Sequence, residues 1–179
     1  MNFRDSTFAV LVLCVVGMQL QLSAAENILI NYDYAQTPQV DFSKMPKGPL
    51  KVAPFSDKRG INSADLRLVS TFTAEMPIAD IVNNALVQAF EAGGAALVQE
   101  GQTLTLEGEL TEVLVANKGS GSEVTIRTHV TLKRGSQTVF DNIIFGRAEA
   151  PTLDAAVKAT LDKLVNSLIL DDYFLMEII

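Results

Sequence analysis

The chain has 179 residues, of which 48% are hydrophobic and 20% charged, so its composition is that of a folded globular protein and not of a disordered one. Its formal net charge of −7 argues against nucleic acid and anionic lipid headgroups as main partners, because both require a basic surface. One histidine and one cysteine are too few for a usual zinc site or a disulfide framework.

Residues 1–25 have the layout of a secretory signal peptide. An apolar run over residues 8–18 is followed by Ser23-Ala24-Ala25, which places small residues three and one before a cleavage site. Gln19 and Gln21 interrupt the run before it reaches the roughly 20 apolar residues of a membrane-spanning helix. We therefore expect export, cleavage after residue 25 and no stable membrane span afterwards. An uncleaved leader that anchors the chain is the alternative.

Cys14 lies in the middle of this apolar run. A bacterial lipoprotein leader has a small residue just before the cysteine that receives the lipid, whereas here the preceding residue is the bulky Leu13. We therefore expect no lipidation, removal of Cys14 with the signal peptide, and a soluble periplasmic protein without cysteine. A membrane anchor on a lipidated Cys14 remains the alternative.

After the signal peptide, residues 26–48 predict an extended segment, because prolines and glycine interrupt regular structure in its second half. Residues 49–179 predict a single α+β domain. The first strands of this domain are expected over residues 50–55 and 67–72, and the polar stretch 56–65 between them predicts an exposed loop.

A helix is predicted over residues 77–92, where apolar residues recur every three or four positions. Pro77 suits the first turn of this helix. Gly93-Gly94 suits its end, because glycine tolerates the left-handed backbone that commonly terminates helices.

Three strands are predicted next, over residues 103–110, 123–133 and 138–147, with polar turns between them that favour an antiparallel meander. The alternation of the first strand slips near Glu112, which predicts a bulge or the end of the strand. The third strand is apolar in both phases, so we expect both of its faces to be covered.

A second helix is predicted over residues 153–170, and Asp171-Asp172 ends its apolar stripe. The last seven residues form a short apolar tail that includes Tyr173 and Phe174. Packing of this tail on the core is one interpretation. Binding of a partner through Tyr173 and Phe174 is the other.

Each predicted helix has one apolar face, and the strands have a matching one. The simplest arrangement is an α+β fold in which a mixed, largely antiparallel sheet of four to five strands carries both helices on one face.

The residues that could perform catalysis do not form a recognisable set. His129 lies on the polar phase of its strand, which favours a solvated side chain over a metal ligand or a member of a triad. Glu107 and Glu109 share a strand face, but no aromatic residues line them as a glycosidase cleft would require. We therefore predict no catalytic residues, no metal site and no cofactor. A carboxylate-dependent hydrolase that uses Asp57, or Glu107 with Glu109, is the enzyme alternative.

The stretch VAPFSDKRG, residues 52–60, is the strongest candidate for a binding site, because loops at the ends of strands often carry function. Its candidates are Asp57, Lys58 and Arg59. Asp57 and Arg59 can instead pair with each other and shape the loop, which is the role we favour. As an exposed pair, they would add only about 0–1 kcal/mol of stability.

Three features together resemble the YajG-like family of bacterial envelope proteins: KVAPFSDKRG, the helix IADIVNNALVQAFEAGGA, and an acidic pair before an apolar tail. The resemblance covers about residues 49–178, and Asp57 and Arg59 match the D-x-R motif of the family. It implies a β-meander between two helices and a place in the envelope of a Gram-negative bacterium, with no established enzymatic activity. Members are mostly predicted lipoproteins, and this leader departs from theirs because the bulky Leu13 precedes Cys14.

These observations predict a non-enzymatic periplasmic binding or accessory protein of the cell envelope. Its partner would be another envelope protein or a cell-wall polymer. A structural partner in outer-membrane assembly that uses the apolar C-terminal tail is the alternative.

Overall fold

The structure is a computed structural model that describes residues 26–60, 67–69 and 72–179. The predicted signal peptide and Cys14 lie outside the described residues, as do residues 61–65 of the loop predicted over residues 56–65. In the described ranges, no helix combines the length and the apolar character that crossing a membrane requires.

The described elements, in chain order, are β1 (Glu26–Ile28), β2 (Leu50–Val52), β3 (Ser56–Asp57), β4 (Arg67–Val69), β5 (Phe72–Ala74), α1 (Ile78–Ala92), β6 (Leu104–Lys118), β7 (Gly121–Arg134), β8 (Gln137–Ala150), α2 (Leu153–Ile169) and α3 (Asp172–Ile178).

The main sheet has five strands in the order β2-β6-β7-β8, with β3 pairing to β6 alongside β2. β2 and β3 run parallel to β6, whereas β6, β7 and β8 form the predicted antiparallel meander. α1 and α2 supply the helical layer whose apolar side chains fill the core. The predicted α+β fold with a mixed sheet is therefore confirmed.

Of the strand predicted over residues 50–55, β2 covers only residues 50–52, whereas β3 occupies Ser56 and Asp57, in the stretch that was predicted as a loop. Both strands pair with β6. Leu50 pairs with Leu104 at one end, and Asp57 pairs with Leu110 at the other. Pro54 lies between the two short strands and has no N–H for the ladder, which explains the interruption.

A second sheet of three strands, in the order β1-β5-β4, was not predicted. β1 runs parallel to β5, so residues far apart in the sequence form it. The region predicted as one strand over residues 67–72 contributes β4 and the start of β5, which pair antiparallel to each other. Three-residue strands are too short for their alternation to identify them.

The extended segment after the predicted cleavage site belongs to the hydrophobic core. Ile30 and Phe42 are buried, and the ring of Phe42 packs edge-on against Phe90 of α1 with 5.4 Å between centroids. The Phe42 N–H donates to the carbonyl of Gly93 at 2.7 Å. A Cβ on Gly93 would lie 2.6 Å from the Phe42 ring, so glycine permits this close packing.

The meander strands are longer than predicted. The phase slip near Glu112 is a bulge, because the register with β7 shifts between Leu110 and Glu112 while β6 continues to Lys118. Only two residues separate β6 from β7, so the turn is tighter than the polar stretch suggested.

β8 is the edge strand of the main sheet, and the prediction that both of its faces are covered is wrong for this chain. Ile144 is buried on the helical side, but Ile143 and Phe145 on the other side are 55% and 56% exposed. No described element lies over them. Apolar residues in both phases indicated a covered strand, yet the described part of the chain supplies a layer on one side only.

The C-terminal tail forms α3 and packs on the core. Phe174 is fully buried, with its ring centroid 6.0 Å from that of Phe90 and 5.4 Å from that of Phe140. Ile178 is also buried, whereas Tyr173 is 72% exposed. The tail therefore combines a packed face with an accessible one.

Candidate functional site

Asp57 and Arg59, predicted as an exposed pair, form a buried ion pair. Arg59 Nη2 lies 2.6 Å from Asp57 Oδ2, and Arg59 Nε donates to Asp57 Oδ1 at 3.0 Å. The Asp57 side chain is 3% exposed and that of Arg59 10% exposed. The prediction of an exposed pair is therefore wrong, because the guanidinium folds back over the carboxylate instead of extending into solvent.

This ion pair also connects the two sheets. Arg59 Nη1 donates to the carbonyl of Leu68 in β4 at 2.6 Å, while Asp57 lies in β3 beside β6. The Arg59 N–H donates to Asp57 Oδ1 at 3.0 Å as well, so both the backbone and the side chain hold the loop closed. These contacts support the loop-shaping role that the sequence favoured.

Lys58 is the accessible member of the predicted trio. Its ammonium lies 3.6 Å from Glu109 Oε1 on the solvent side of β6, and both side chains are about half exposed. Whether Asp57, Lys58 or Arg59 binds a partner stays a prediction.

The second predicted binding element lies at the other edge of the main sheet. α3 contacts β8, whereas the loop after β3 lies beside β6, so the two candidate groups are not brought together. Phe174 is enclosed by two other phenylalanines, which leaves Tyr173 as the accessible aromatic residue of the pair. A binding role for either residue stays a prediction.

The acids considered for hydrolysis each contact a different cation. Glu107 Oε2 accepts from Lys133 at 2.6 Å, and Glu109 lies beside Lys58 on the same solvent face. Asp57 faces the interior instead. Opposed carboxylates across a cleft, which glycosidase chemistry requires, are therefore not formed by these three residues.

His129 lies on the solvent face of β7, as its phase predicted. Its Nε2 is 2.6 Å from Asp141 Oδ1, and its Nδ1 is 3.9 Å from Glu109 Oε2. Among residues 26–60, 67–69 and 72–179, no group of three or more His, Cys, Asp or Glu side chains is arranged to hold a metal ion.

The structure adds a site that the sequence did not indicate. A groove of about 450 Å³ lies between the extended N-terminal segment, the end of β5 and α1, and we call it the α1 groove. It is lined by Leu29, Ile30, Asn31, Tyr32, Glu75, Met76, Ile81, Asn84 and Gln88. This volume is within the range of small-ligand pockets, which combine apolar walls with a few polar groups.

Polar side chains of the α1 groove position its outer wall. Glu75 Oε2 accepts from the Ile30 N–H at 2.7 Å, and Gln88 Oε1 accepts from the Tyr34 N–H at 2.8 Å. These bonds join residues 45 and 54 positions apart in sequence. The groove therefore exists only because the N-terminal segment runs along α1.

Tyr32 ties the same segment to α2. Its hydroxyl donates to Asp162 Oδ1 at 2.8 Å. Burial raises the pKa of the Tyr32 phenol well above its usual value, and the hydrogen bond to Asp162 raises it further. Tyr32 therefore stays a neutral donor and serves as part of the scaffold of the groove.

The side chains of the α1 groove are suited to binding. Its nine described lining residues comprise four aliphatic or thioether side chains, three amides, one phenol and one carboxylate. The phenol and the carboxylate already hold the N-terminal segment in place. None of the nine has the hydroxyl–imidazole or thiol–imidazole pairing that an activated nucleophile needs.

A second concave surface lies on the solvent face of the main sheet. Leu114 and Phe145 are exposed there between Arg127 and Arg147, in a shallow cavity of about 290 Å³. Arg147 Nη2 lies 2.9 Å from both carboxylate oxygens of Glu123. Arg127 Nε lies 3.0 Å from Glu112 Oε2, so both arginines of this cavity are paired within the chain.

Comparisons with known proteins locate the fold among solved structures. A scan against protein-family models finds no match, and no curated protein sequence is significantly similar. The crystal structure of a Xanthomonas campestris protein of the DUF330 family is similar over 86% of this chain and 95% of that one, with 18% identity and a TM-score of 0.58. The chain shares that fold.

Two further structures resemble the chain less. The PelC dodecamer of Paraburkholderia phytofirmans matches at 12% identity over 68% of this chain and 88% of that one, with a TM-score of 0.47. The lipoprotein GNA1162 of Neisseria meningitidis matches at 11% identity over 69% and 99%, with a TM-score of 0.36. Membership of the YajG-like family stays a prediction.

Proposed function

We propose that the chain is a non-enzymatic accessory protein of the bacterial cell envelope, exported to the periplasm, which binds an apolar segment of another envelope protein in the α1 groove. The observation that carries this proposal is the groove itself. It is open to solvent along one side and has an apolar wall beside amide groups.

The apolar wall favours a hydrophobic occupant. Met76 and Ile81 form its inner part, and the exposed Leu29 stands at its rim. Burying these side chains under an apolar ligand would contribute about 25 cal/mol for each Å² removed from water. Asn31 and Asn84 are exposed at the same groove and can donate to or accept from the backbone of an extended segment.

Two sequence features support the cellular setting. The signal-peptide layout of residues 1–25 supports export, and the resemblance to the YajG-like family supports the envelope. The intact mass of the mature protein tests this part. We expect a chain that begins at Glu26, and a diacylglyceryl-modified Cys14 at the N-terminus would contradict it.

A second candidate function uses the C-terminal region. Leu170, Tyr173, Met176 and Ile179 are exposed on or beside α3, next to the residues of α3 that pack inward. An exposed apolar cluster of this kind is typical of a protein interface. A role as a structural partner in outer-membrane assembly would use this cluster in place of the α1 groove.

Site-specific photo-crosslinking distinguishes the two. A benzophenone side chain placed at Leu29 should give one discrete adduct in intact cells, whereas one at Met176 should give none. Leu114, an exposed leucine on the solvent face of the sheet, is the matched control position. An adduct at Met176 alone would favour the C-terminal candidate and contradict the groove.

A binding assay with the purified protein tests the chemistry of the groove. The chain has no tryptophan, so the neutral apolar fluorophore N-phenyl-1-naphthylamine can be followed without interference. We expect its emission to rise on binding, and Leu29→Arg to reduce its affinity while Leu114→Arg does not. Equal binding by both variants would contradict the assignment of the site.

A further inference from the structure

The outermost strand of the main sheet, β8, is long, and no described strand pairs with its outward edge. β8 has 14 residues, and among the described strands it pairs only with β7. Natural proteins usually protect such edges with proline, lysine, bulges or a covering element. β8 contains neither proline nor lysine, and its only register shift, at Val139, leaves residues 140–150 regular.

The backbone of β8 presents every second residue to the outside. The Ile143 N–H donates to the side chain of Asn142 at 2.9 Å, which indicates that it points away from β7. In an antiparallel ladder, residues alternately direct both backbone groups toward the partner strand and away from it. Asp141, Ile143, Phe145 and Arg147 therefore direct their N–H and C=O groups outward, where a further strand would pair.

The side chains of the same four residues would complement those of a second, antiparallel copy of β8. On the solvent face, β8 presents Asp141, Ile143, Phe145 and Arg147 in sequence, an acid and a base on either side of two apolar side chains. We propose that two copies of this chain pair antiparallel through β8, about a twofold axis at Ile144. That register places Asp141 opposite Arg147 of the partner subunit and Ile143 opposite Phe145 of the partner subunit.

Charge and shape agree in this register. The twofold axis generates two Asp–Arg pairs and two Ile–Phe pairs on the solvent face, which are favourable cross-strand combinations. On the helical face, a large residue meets a small one, since Phe140 pairs with Ala148 and Asn142 with Gly146. The outward backbone groups pair as well, because 141 with 147 and 143 with 145 are all outward-facing positions.

The structure indicates what must change on pairing. Asn142 has to release the Ile143 N–H, which then donates to the partner strand. Asp141 and Arg147 each have a partner in their own subunit, His129 and Glu123 respectively. Both side chains are more than half exposed, so they can reach across the twofold axis without being uncovered first.

This interface is separate from the α1 groove, which lies on α1 and the N-terminal segment. The outcome of a test for this dimer is therefore independent of whether the proposed function is correct. Pairing would extend the meander into one continuous sheet across two subunits, with the helices of both on the same side.

Charge reversal tests the register. The chain, purified in its native processed form, is examined by sedimentation equilibrium over a range of concentrations. Asp141→Arg or Arg147→Asp alone places like charges opposite each other twice, so each should raise the dimer dissociation constant by about tenfold or more. The double variant D141R/R147D restores opposite charges and should return the constant to within about threefold of the wild type.

Glu107→Arg is the matched control, because it reverses a charge on the same face but on β6, away from the edge. It should leave the dimer unchanged. Hydrogen exchange gives a second measurement: the outward N–H groups of Phe145 and Arg147 should exchange more slowly as the protein concentration rises.

Three results would overturn the proposal. One is a protein that stays monomeric up to about 1 mM. Another is a dimer that neither single reversal weakens, or that the double reversal does not restore. The third is pairing of β8 with a strand of a different protein in the absence of self-association.

Discussion

At one edge of the main sheet, β3 leads into a loop whose carboxylate and guanidinium are buried together, whereas at the other edge β8 presents charges and apolar side chains to solvent. Both edges use an arginine–carboxylate pair, Asp57–Arg59 and Glu123–Arg147. The first pair is enclosed and also reaches the carbonyl of Leu68, while Arg147 is 59% exposed. The ion pair is therefore buried at the β3 edge, which we call the closed edge, and exposed at the β8 edge, which we call the open edge.

The closed edge should be the most sensitive to substitution. Arg59→Ala is expected to lower the free energy of unfolding by about 3–5 kcal/mol, because it leaves the Asp57 carboxylate buried without its cation. Urea denaturation followed by far-ultraviolet circular dichroism measures this value. Arg147→Ala is the matched control and should cost much less, since exposed pairs contribute little.

This prediction reverses the one made from the sequence, and the reason is physical. Sequence spacing placed Asp57 and Arg59 in a loop after a strand, whereas Asp57 is the last residue of β3 and only Arg59 lies in the loop that follows. It could not show that Arg59 reaches the carbonyl of Leu68 in the second sheet, or that both side chains are buried. If Arg59→Ala costs no more than Arg147→Ala, the pair behaves as an exposed one and burial is not decisive.

Local patterns predicted those parts of the fold that depend on neighbours in sequence. The helix predicted over residues 77–92 forms α1 because its apolar positions repeat at the helical period. The bulge near Glu112 was readable from the phase slip in β6. The α1 groove could not be predicted, because it is built by residues 45 to 54 positions apart and no local sequence pattern indicates that they come into contact.

β8, the strand at the open edge, packs closely against α2 at Gly146. Gly146→Ala should disrupt this packing. A Cβ at Gly146 would lie 2.0 Å from the carbonyl oxygen of Thr160, a backbone atom that cannot turn aside. We expect a loss of about 1–3 kcal/mol of stability from the forced separation of α2 and β8. Thermal unfolding measures it.

Gly119→Ala is the matched control for this substitution. Gly119 lies in the turn between β6 and β7, and a Cβ there would meet no atom within 4 Å. Its unfolding temperature should remain close to that of the wild type. If Gly146→Ala loses no more stability than Gly119→Ala, β8 tolerates the displacement of α2.

β7, the strand next to the open edge, contains a buried hydroxyl without a hydrogen bond to any described residue, and its removal should stabilise the protein. Thr128 of β7 is fully buried, and its hydroxyl has no hydrogen-bond partner among the described residues. Thr128→Val replaces that hydroxyl by a methyl group of similar size and should add about 1 kcal/mol to the free energy of unfolding.

Thr160→Val supplies the opposite case. The Thr160 hydroxyl donates to the carbonyl oxygen of Ala156 at 2.7 Å, so its removal deletes a hydrogen bond. The Thr128 hydroxyl makes no such bond among the described residues. We expect this variant to be less stable than the wild type. Destabilisation by Thr128→Val would mean that its hydroxyl is satisfied after all.

The smallest effect concerns the exposed pair at the open edge and its dependence on pH. The hydrogen bond from Arg147 lowers the pKa of Glu123 below its usual value, and the charge of Lys118 lowers it to a lesser degree. A carboxylate with a lowered pKa in the folded state contributes stability above its ordinary pKa, and this contribution is lost as the pH falls through the lowered value. Because the pair is exposed, salt should weaken the effect.

A carbon-13 NMR titration of the Glu123 carboxyl should give a depressed pKa, and Arg147→Ala should raise that pKa more than Lys118→Ala does. If Arg147→Ala leaves the Glu123 pKa unchanged, Arg147 does not hold Glu123 in solution, and in the proposed dimer it can reach Asp141 of the partner subunit without leaving Glu123 first.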